Sequence, residues 1–336
     1  MEKHTHRERK QKVSIQKHLV AAGLLAVVCC LFTACQKEPD IALSQTREMA
    51  EPNREEPAAR ETAASPGEDG ASSLTVQFLD VGQGNAILIR CGGHYMLVDG
   101  GDWSKSSYVV SYLQKQGIES FDYVMASHYD DDHLHGLVGV LKKFDCDLVL
   151  DADYEADTWI YRSFVSVVKR EKFQEIHPKV GQTYSLGDAQ FTIVSPKTYD
   201  YEVENDNSIG FRLTYGDTSF LICGDASQAS EQDMVASGQN LKSDVYLANH
   251  HGSNSSSTEA FLNAVDPEAI VISAAFGNPY GHPAKDAMER ICATDADIYR
   301  TDLQGEITAV SDGKTITFME QPAWNENCGT VVAGGG

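Results

Sequence analysis

The stretch Ser127 to Gly136, SHYDDDHLHG, holds the densest group of side chains able to do chemistry. His128, Asp130, Asp131, Asp132, His133 and His135 follow the apolar run Tyr123-Val124-Met125-Ala126. An apolar run bounded by polar punctuation reads as a buried strand. Imidazoles and carboxylates fanned out at a strand end suit a divalent metal ion. Three adjacent carboxylates repel one another, by about 4 kcal/mol for two unit charges about 4 Å apart at an effective dielectric near 20. A bound cation turns that repulsion into ligation. The plain alternative is a solvated acidic loop.

Two later strand ends carry groups of the same kind. Ser219 to Cys223 reads as a strand that stops at Gly224-Asp225, where a carboxylate is well placed to bridge two metal ions. Val245 to Asn249 reads as another, followed by His250-His251-Gly252-Ser253. Upstream, Asp80-Val81-Gly82-Gln83-Gly84-Asn85 is a tight turn between two strands, and Asp99-Gly100-Gly101-Asp102 ends the strand that begins at Tyr95. Two glycines at that spacing let the backbone approach a site closely. His282, in Tyr280-Gly281-His282-Pro283, stands at a helix start and is either a substrate contact or a structural loop histidine.

The elements that position these groups alternate in short runs. A helix is predicted from a Ser104 cap to Gln116, with Tyr108, Val109, Tyr112 and Leu113 as its apolar stripe and Gly117 as its stop. Leu134, Leu137, Val138 and Leu141 share one helical face, so a helix leaves the metal loop and packs back on the sheet. Further helices are predicted over 159–168 and 284–292. His135 lies beyond the loop and is expected to face a neighbour, and His177-Pro178 is read as structural. About a dozen short strands fall in two blocks with interspersed helices, a mixed α+β pattern.

The formal net charge is -22, with 27 Lys+Arg against 49 Asp+Glu. That balance disfavours electrostatically driven nucleic-acid binding. The N-terminus is basic (Lys3, Arg7, Arg9, Lys10, Lys12, Lys17), then uncharged and mostly apolar from Leu19 to Ala34, and then reaches Cys35. Leu31-Phe32-Thr33-Ala34-Cys35 resembles a bacterial lipobox. Residues 1–34 therefore read as a lipoprotein signal peptide with lipidation of Cys35, or else as an uncleaved membrane anchor. Either puts the remaining chain outside the cytoplasm, at the extracellular face of the membrane. Residues 35–73 are rich in Glu, Pro, Ala and Ser and read as a disordered linker. Residues 74–318 form the predicted folded domain, and 319–336 a loose tail. Cys91, Cys146, Cys223, Cys292 and Cys328 are odd in number with no paired short spacing, so no disulfide framework is indicated.

The loop His128-x-Asp130-x-Asp132-His133 resembles the His-x-His-x-Asp-His loop of the metallo-β-lactamase superfamily, with Asp130 at the second histidine's place. Together with Asp80–Asn85, HHGS at His250, the YGHP phrase and Arg300-Thr301-Asp302-Leu303-Gln304-Gly305, it is similar to the extracellular hydrolase domain of ComEC-type competence proteins. The resemblance spans roughly Leu74 to Phe318. It implies an αββα sandwich. It further implies one or two divalent ions, Zn²⁺ or Mn²⁺, on His128, Asp130, Asp132, His133, Asp225 and His250. Asp132 doubles as proton acceptor, and His282 is a candidate to protonate a leaving group. Asp80 and Asp99 brace the metal loop. His251, Ser253 and Asn207 face substrate, and His250 and His251 are interchangeable at this stage. The third histidine common in the superfamily is absent: only His135 and His177 lie between His133 and His250.

The implied activity is hydrolysis of a phosphodiester, with single-stranded DNA outside the cell as one substrate. Competing readings are a small phosphodiester or a lactone at the cell surface, and a catalytically silent, lipid-anchored binding module. No protein partner is inferable.

Overall fold

The structure is a computed structural model and describes residues 73–319, 322–324 and 328. The predicted signal segment, Cys35 and residues 36–72 of the linker lie outside the described residues, as does most of the tail.

The first half of the chain builds one sheet. Strands β1 (Leu74–Phe78), β2 (Ile87–Cys91) and β3 (His94–Val98) form an antiparallel meander. Helix α1 (Ser106–Lys115) then crosses to β4 (Ser120–Met125), and α2 (Asp131–Val140) to β5 (Asp145–Leu150). Helix α3 (Trp159–Glu171) leads to β6 (Gln174–Ile176), so that β3 to β6 run parallel. Strands β7 (Thr183–Leu186), β8 (Ala189–Ser195), β9 (Gly210–Tyr215) and β10 (Thr218–Ile222) open the second sheet as antiparallel neighbours. After α4 (Gln228–Ala236) comes β11 (Val245–Leu247), after α5 (Glu259–Val265) β12 (Ala269–Ile272), and after α6 (Lys285–Cys292) β13 (Asp297–Arg300), all parallel to β10. A short helix α7 (Thr301–Gln304) then returns the chain to the first sheet as β14 (Ile307–Ser311) and β15 (Ile316–Phe318).

The two sheets, of eight and seven strands, pack face to face. Tyr123 of β4 meets Tyr184 of β7 and Phe191 of β8 edge-on, at 6.1 and 5.1 Å between ring centroids. At the other side Tyr299 stacks on Phe318 at 3.8 Å. Side chains alternate strictly along the second sheet. Phe220 and Ile222 join the core between the sheets, while Leu221 and Cys223 join the layer under α4 to α6. A strand's period of two produces that division, and burial on both faces is why these runs read as continuous apolar stretches. The αββα sandwich expected from the resemblance is the architecture found.

Helix α1 begins at Ser106, two residues after the predicted cap. The Ser104 amide and hydroxyl are instead held by Asp102, at 2.8 and 2.7 Å, in the preceding turn. One cysteine expectation is overturned: Cys292 at the end of α6 is disulfide-bonded to Cys328. The two lie 36 positions apart, so no short-spacing rule could pair them. Nearby, the amide of Trp324 bonds the Ile298 carbonyl, and its ring covers the buried Arg300–Asp302 pair. Among the described residues no helix is long and apolar enough to cross a membrane.

Candidate metal centre

Parallel strands in both sheets deliver their carboxyl ends to one edge of the sandwich, the usual place for a ligand in such sheets. The two sheets are tied there: the Ile209 amide, just before β9, bonds the Ser127 carbonyl just after β4. Ser273 Oγ, after β12, donates to the Gly84 carbonyl.

Asp225 is the hub. It follows β10, is buried, and donates its amide N–H to the Ser208 hydroxyl oxygen. Its Oδ1 lies 3.2 Å from His133 Nε2, and its Oδ2 lies 3.3 Å from His251 Nε2, 3.7 Å from His250 Nε2 and 3.9 Å from His128 Nε2. Two sets of potential ligand atoms fall within 4.8 Å of one another: His128, His133 and Asp225, and Asp132, His133 and His251. Asp130 stands beside the first set, its Oδ2 3.5 Å from His128 Nε2, and Asp132 Oδ2 lies 3.5 Å from His251 Nε2.

The buttresses are equally specific. Asp99 is buried at a positive φ of 58°. It accepts from the Ser127 amide and hydroxyl, both at 2.8 Å, and from His133 Nδ1 at 2.8 Å. Gly84 lies so close to the metal loop that a Cβ there would sit 1.9 Å from the Asp132 carbonyl oxygen. Asp80 shapes that glycine turn by accepting from the Gly82 amide at 3.2 Å. His135 turns away and meets the Trp159 ring edge-on at 5.0 Å, and His177 pairs with Asp151.

Two placements differ from the sequence reading. His251, expected to face substrate, lies inside the ligand cluster, whereas His250 is about a quarter exposed beside it. The two occupy left-handed backbone (φ 51° and 56°), and the Ser273 carbonyl at 3.0 Å from His251 Nδ1 aims the other ring nitrogen at Asp225. Asn207, expected at the substrate, instead pairs with the Tyr201 backbone, its Oδ1 accepting from the amide and its Nδ2 donating to the carbonyl. Asn205 is the residue that approaches Asp225 Oδ2, at 3.4 Å. His282 is pushed down to about 4 by burial and by the adjoining His251 and His250. Its surroundings thus favour the neutral imidazole, which suits the substrate contact among the roles read from the sequence. Ser253 is buried against the Ser255 hydroxyl, at 3.1 Å.

Sequence reasoning missed Glu231. This α4 carboxylate is fully buried and accepts from Asn249 Nδ2 at 3.0 Å, the Ser257 amide at 2.6 Å and the Thr258 amide at 2.9 Å. It thus ties the start of the double-histidine turn to the Ser257–Thr258 backbone. Nothing in Gln228–Ala236 marks this acid among its neighbours.

The electrostatics suit a cation. Burial alone would pull the His133 imidazole down, yet Asp225 and Asp99 hold it well above its usual range. Burial would likewise raise Asp225, but His133 and His251 hold it well below the carboxylate range. Burial would raise Asp130 too, and His128 keeps it low. His128 Nε2 and Asp225 Oδ1 are buried without a hydrogen bond, and His133 Nε2 faces His251 Nε2 at 3.2 Å. Orphaned buried polar atoms are costly. One or two divalent ions held by these groups would satisfy such atoms, so the residues fit the metal that the fold family implies.

A family model described as the metallo-β-lactamase superfamily matches residues 79–275. Competence protein ComA of Neisseria gonorrhoeae is 29% identical over 238 residues, covering 70% of this chain and 32% of that one. ComE operon protein 3 of Bacillus subtilis is 26% identical over 282 residues, covering 76% of this chain and 35% of its own. Recombination protein 2 of Haemophilus influenzae is 30% identical over 237 residues, at 69% and 28% coverage. The chain thus spans about a third of the length of these curated relatives. Among solved structures, Igni18, a metallo hydrolase from Ignicoccus hospitalis, matches at a TM-score of 0.48 and 14% identity, over 70% of this chain and 98% of that one.

Proposed function

The chain belongs to the metallo-β-lactamase superfamily, and on that premise we propose that it is a metal-dependent hydrolase of phosphodiester bonds. The observation that carries this reading is the buried Asp225 carboxylate ringed by four imidazoles, with His128 Nε2 left without a hydrogen bond. His128, His133, Asp225, His251 and Asp132 would hold one or two ions, with Asp130 and His250 at the margin. Mixed imidazole and carboxylate donors suit Zn²⁺ or Mn²⁺. A divalent ion bound there would supply Lewis acidity, lowering the pKa of water to about 7 and polarising a phosphoryl oxygen.

The protein's own groups do the rest. Asp132, a quarter exposed at the mouth, takes the proton of the attacking water on a carboxylate oxygen. Asp99 fixes the His133 ring, and Glu231 fixes the turn that carries His250 and His251. His282, neutral and next to His250, hydrogen-bonds the substrate.

Similarity to proteins named for competence and recombination supports DNA as substrate. A small phosphodiester of the cell surface is the second reading, favoured by the net charge of -22. We place the domain at the outer face of the membrane, tethered through Cys35. The Cys292–Cys328 disulfide supports that compartment, since such bonds persist in oxidising surroundings. The test is cleavage of bis(p-nitrophenyl) phosphate and single-stranded DNA by metal-loaded protein and by Asp132→Asn. Loss of both activities in the variant is expected. Undiminished cleavage by the variant contradicts the site, and a chain that holds no metal is a binding module instead.

A further inference from the structure

The four most exposed aromatic side chains among the described residues lie on loops that leave the same edge of the sandwich as this site. They are Trp103 and Phe276, each 74% exposed, Tyr280 at 68% and Trp159 at 61%. Trp103 lies on the loop after β3, Trp159 opens α3 after β5, and Phe276 and Tyr280 lie on the loop after β12. All three loops leave the strand ends that form the metal edge. One of the rings reaches the site through a histidine. Tyr280 stacks on His282 at 5.8 Å and 25°, and His282 is 5.3 Å from His250. Trp159 meets His135, two residues beyond His133, at 5.0 Å. The Trp103 and Phe276 loops converge on Gly82, where a Cβ would lie 3.8 Å from both Lys105 Cε and Ala275 Cβ.

Single apolar side chains on a surface need no explanation, but several exposed aromatic rings on one edge of a domain mark an interaction site. The chain's charge narrows the ligand. At a net -22 it cannot gain affinity for a polyanion by releasing many counterions. Aromatic rings bind nucleic acid by another route: each stacks on the face of a base, whatever the sequence. A duplex hides those faces, and a single strand offers them.

We propose that Trp103, Trp159, Phe276 and Tyr280 form a stacking platform for the nucleobases that flank the scissile phosphodiester of a single-stranded nucleic acid. This rests on the phosphodiesterase reading above and adds how an acidic protein holds such a substrate. Affinity comes from the bases, and the backbone contributes little beyond the phosphate at the cluster.

Binding is measured by fluorescence anisotropy with the full chain, a labelled oligo(dT) and an abasic oligomer of equal length, across a salt series. Wild-type protein is expected to bind oligo(dT) with an affinity that changes less than about tenfold between 50 and 200 mM salt, against the 10³–10⁵ typical of backbone binders. The abasic strand is expected to bind at least tenfold more weakly. Phe276→Ala and Tyr280→Ala each weaken oligo(dT) binding by about tenfold at unchanged melting temperature. Equal binding of the abasic strand, or an undiminished affinity in the double variant, overturns the proposal. So do substitutions that abolish binding to anionic vesicles while leaving oligo(dT) affinity intact, because they assign these rings to a membrane. Oligo(dT) binding as expected, without cleavage by the metal-loaded protein, upholds the platform and removes the hydrolase reading alone.

Discussion

Asp99 Oδ2 lies 2.8 Å from His133 Nδ1, and because a carboxylate only accepts, the imidazole donates there. The bond leaves His133 Nε2 as the nitrogen that faces Asp225 Oδ1, at 3.2 Å. A strand end in one sheet thereby sets which ring nitrogen points at a carboxylate of the other.

Asp99→Asn tests that control without disturbing the backbone, since Asn also tolerates the positive φ of 58°. The expected result is a 10- to 100-fold loss of metal affinity with the melting temperature shifted only slightly. Isothermal titration of the chelated protein with Zn²⁺ or Mn²⁺ measures it. Unchanged affinity would show that His133 needs no such brace.

Glu231 makes a second prediction from the opposite sheet. Burial pushes its carboxyl up from the ordinary range, against the pull of the Thr258, Ser257 and Asn249 donors. Glu231→Gln replaces one acceptor with a donor that faces other donors. We expect about 1–3 kcal/mol of lost stability and roughly tenfold weaker metal binding, because the left-handed turn at His250 and His251 loosens. Urea unfolding and metal titration read the two effects. Lost stability with full metal affinity would confine Glu231 to the fold.

The sequence carries some of these relationships and hides others, for physical reasons. Strand ends followed by His or Asp are visible because apolar runs and polar punctuation are local, and so 127–136, Asp225 and the double histidine could be singled out. Which histidine turns inward could not, because two left-handed residues and the distant Ser273 carbonyl decide it. Asn207 and Asn205 sit in a single 3₁₀ turn over Glu204–Asn207, and only its folded shape shows that Asn205 approaches Asp225. Glu231 looked like any helix-surface acid until α4 packed it against the Ser257–Thr258 backbone. Cys292 and Cys328 pair across a separation that no spacing rule covers. The αββα arrangement came from resemblance; periodicity alone supplied only its mixed elements.

Asp151 sets a pH prediction outside the metal cluster. Burial, then the neighbouring Glu175, push its carboxyl up to about 7, although His177 and the Tyr129 hydroxyl pull it down. Between about 3.8 and about 7 the folded chain keeps a proton that the unfolded chain has lost. The group's contribution to stability is therefore fully present below the lower value and disappears as pH rises through the upper one. In that window it adds a slope of about -1.4 kcal/mol per pH unit. Asp151→Asn removes this component, so wild-type minus variant stability, from urea unfolding at pH 4 to 8, falls across the window. A flat difference would contradict the assignment.

The most direct test of the central claim is metal-dependent turnover of the chelated domain. Chelated protein is titrated with Mn²⁺ or Zn²⁺ while hydrolysis of bis(p-nitrophenyl) phosphate is followed, for wild type and for Asp225→Ala. The account predicts that wild-type activity rises from zero and saturates at one or two ions per chain, and that the variant gains none. Hydrolysis that persists without metal, or that Asp225→Ala recovers in full, would contradict it.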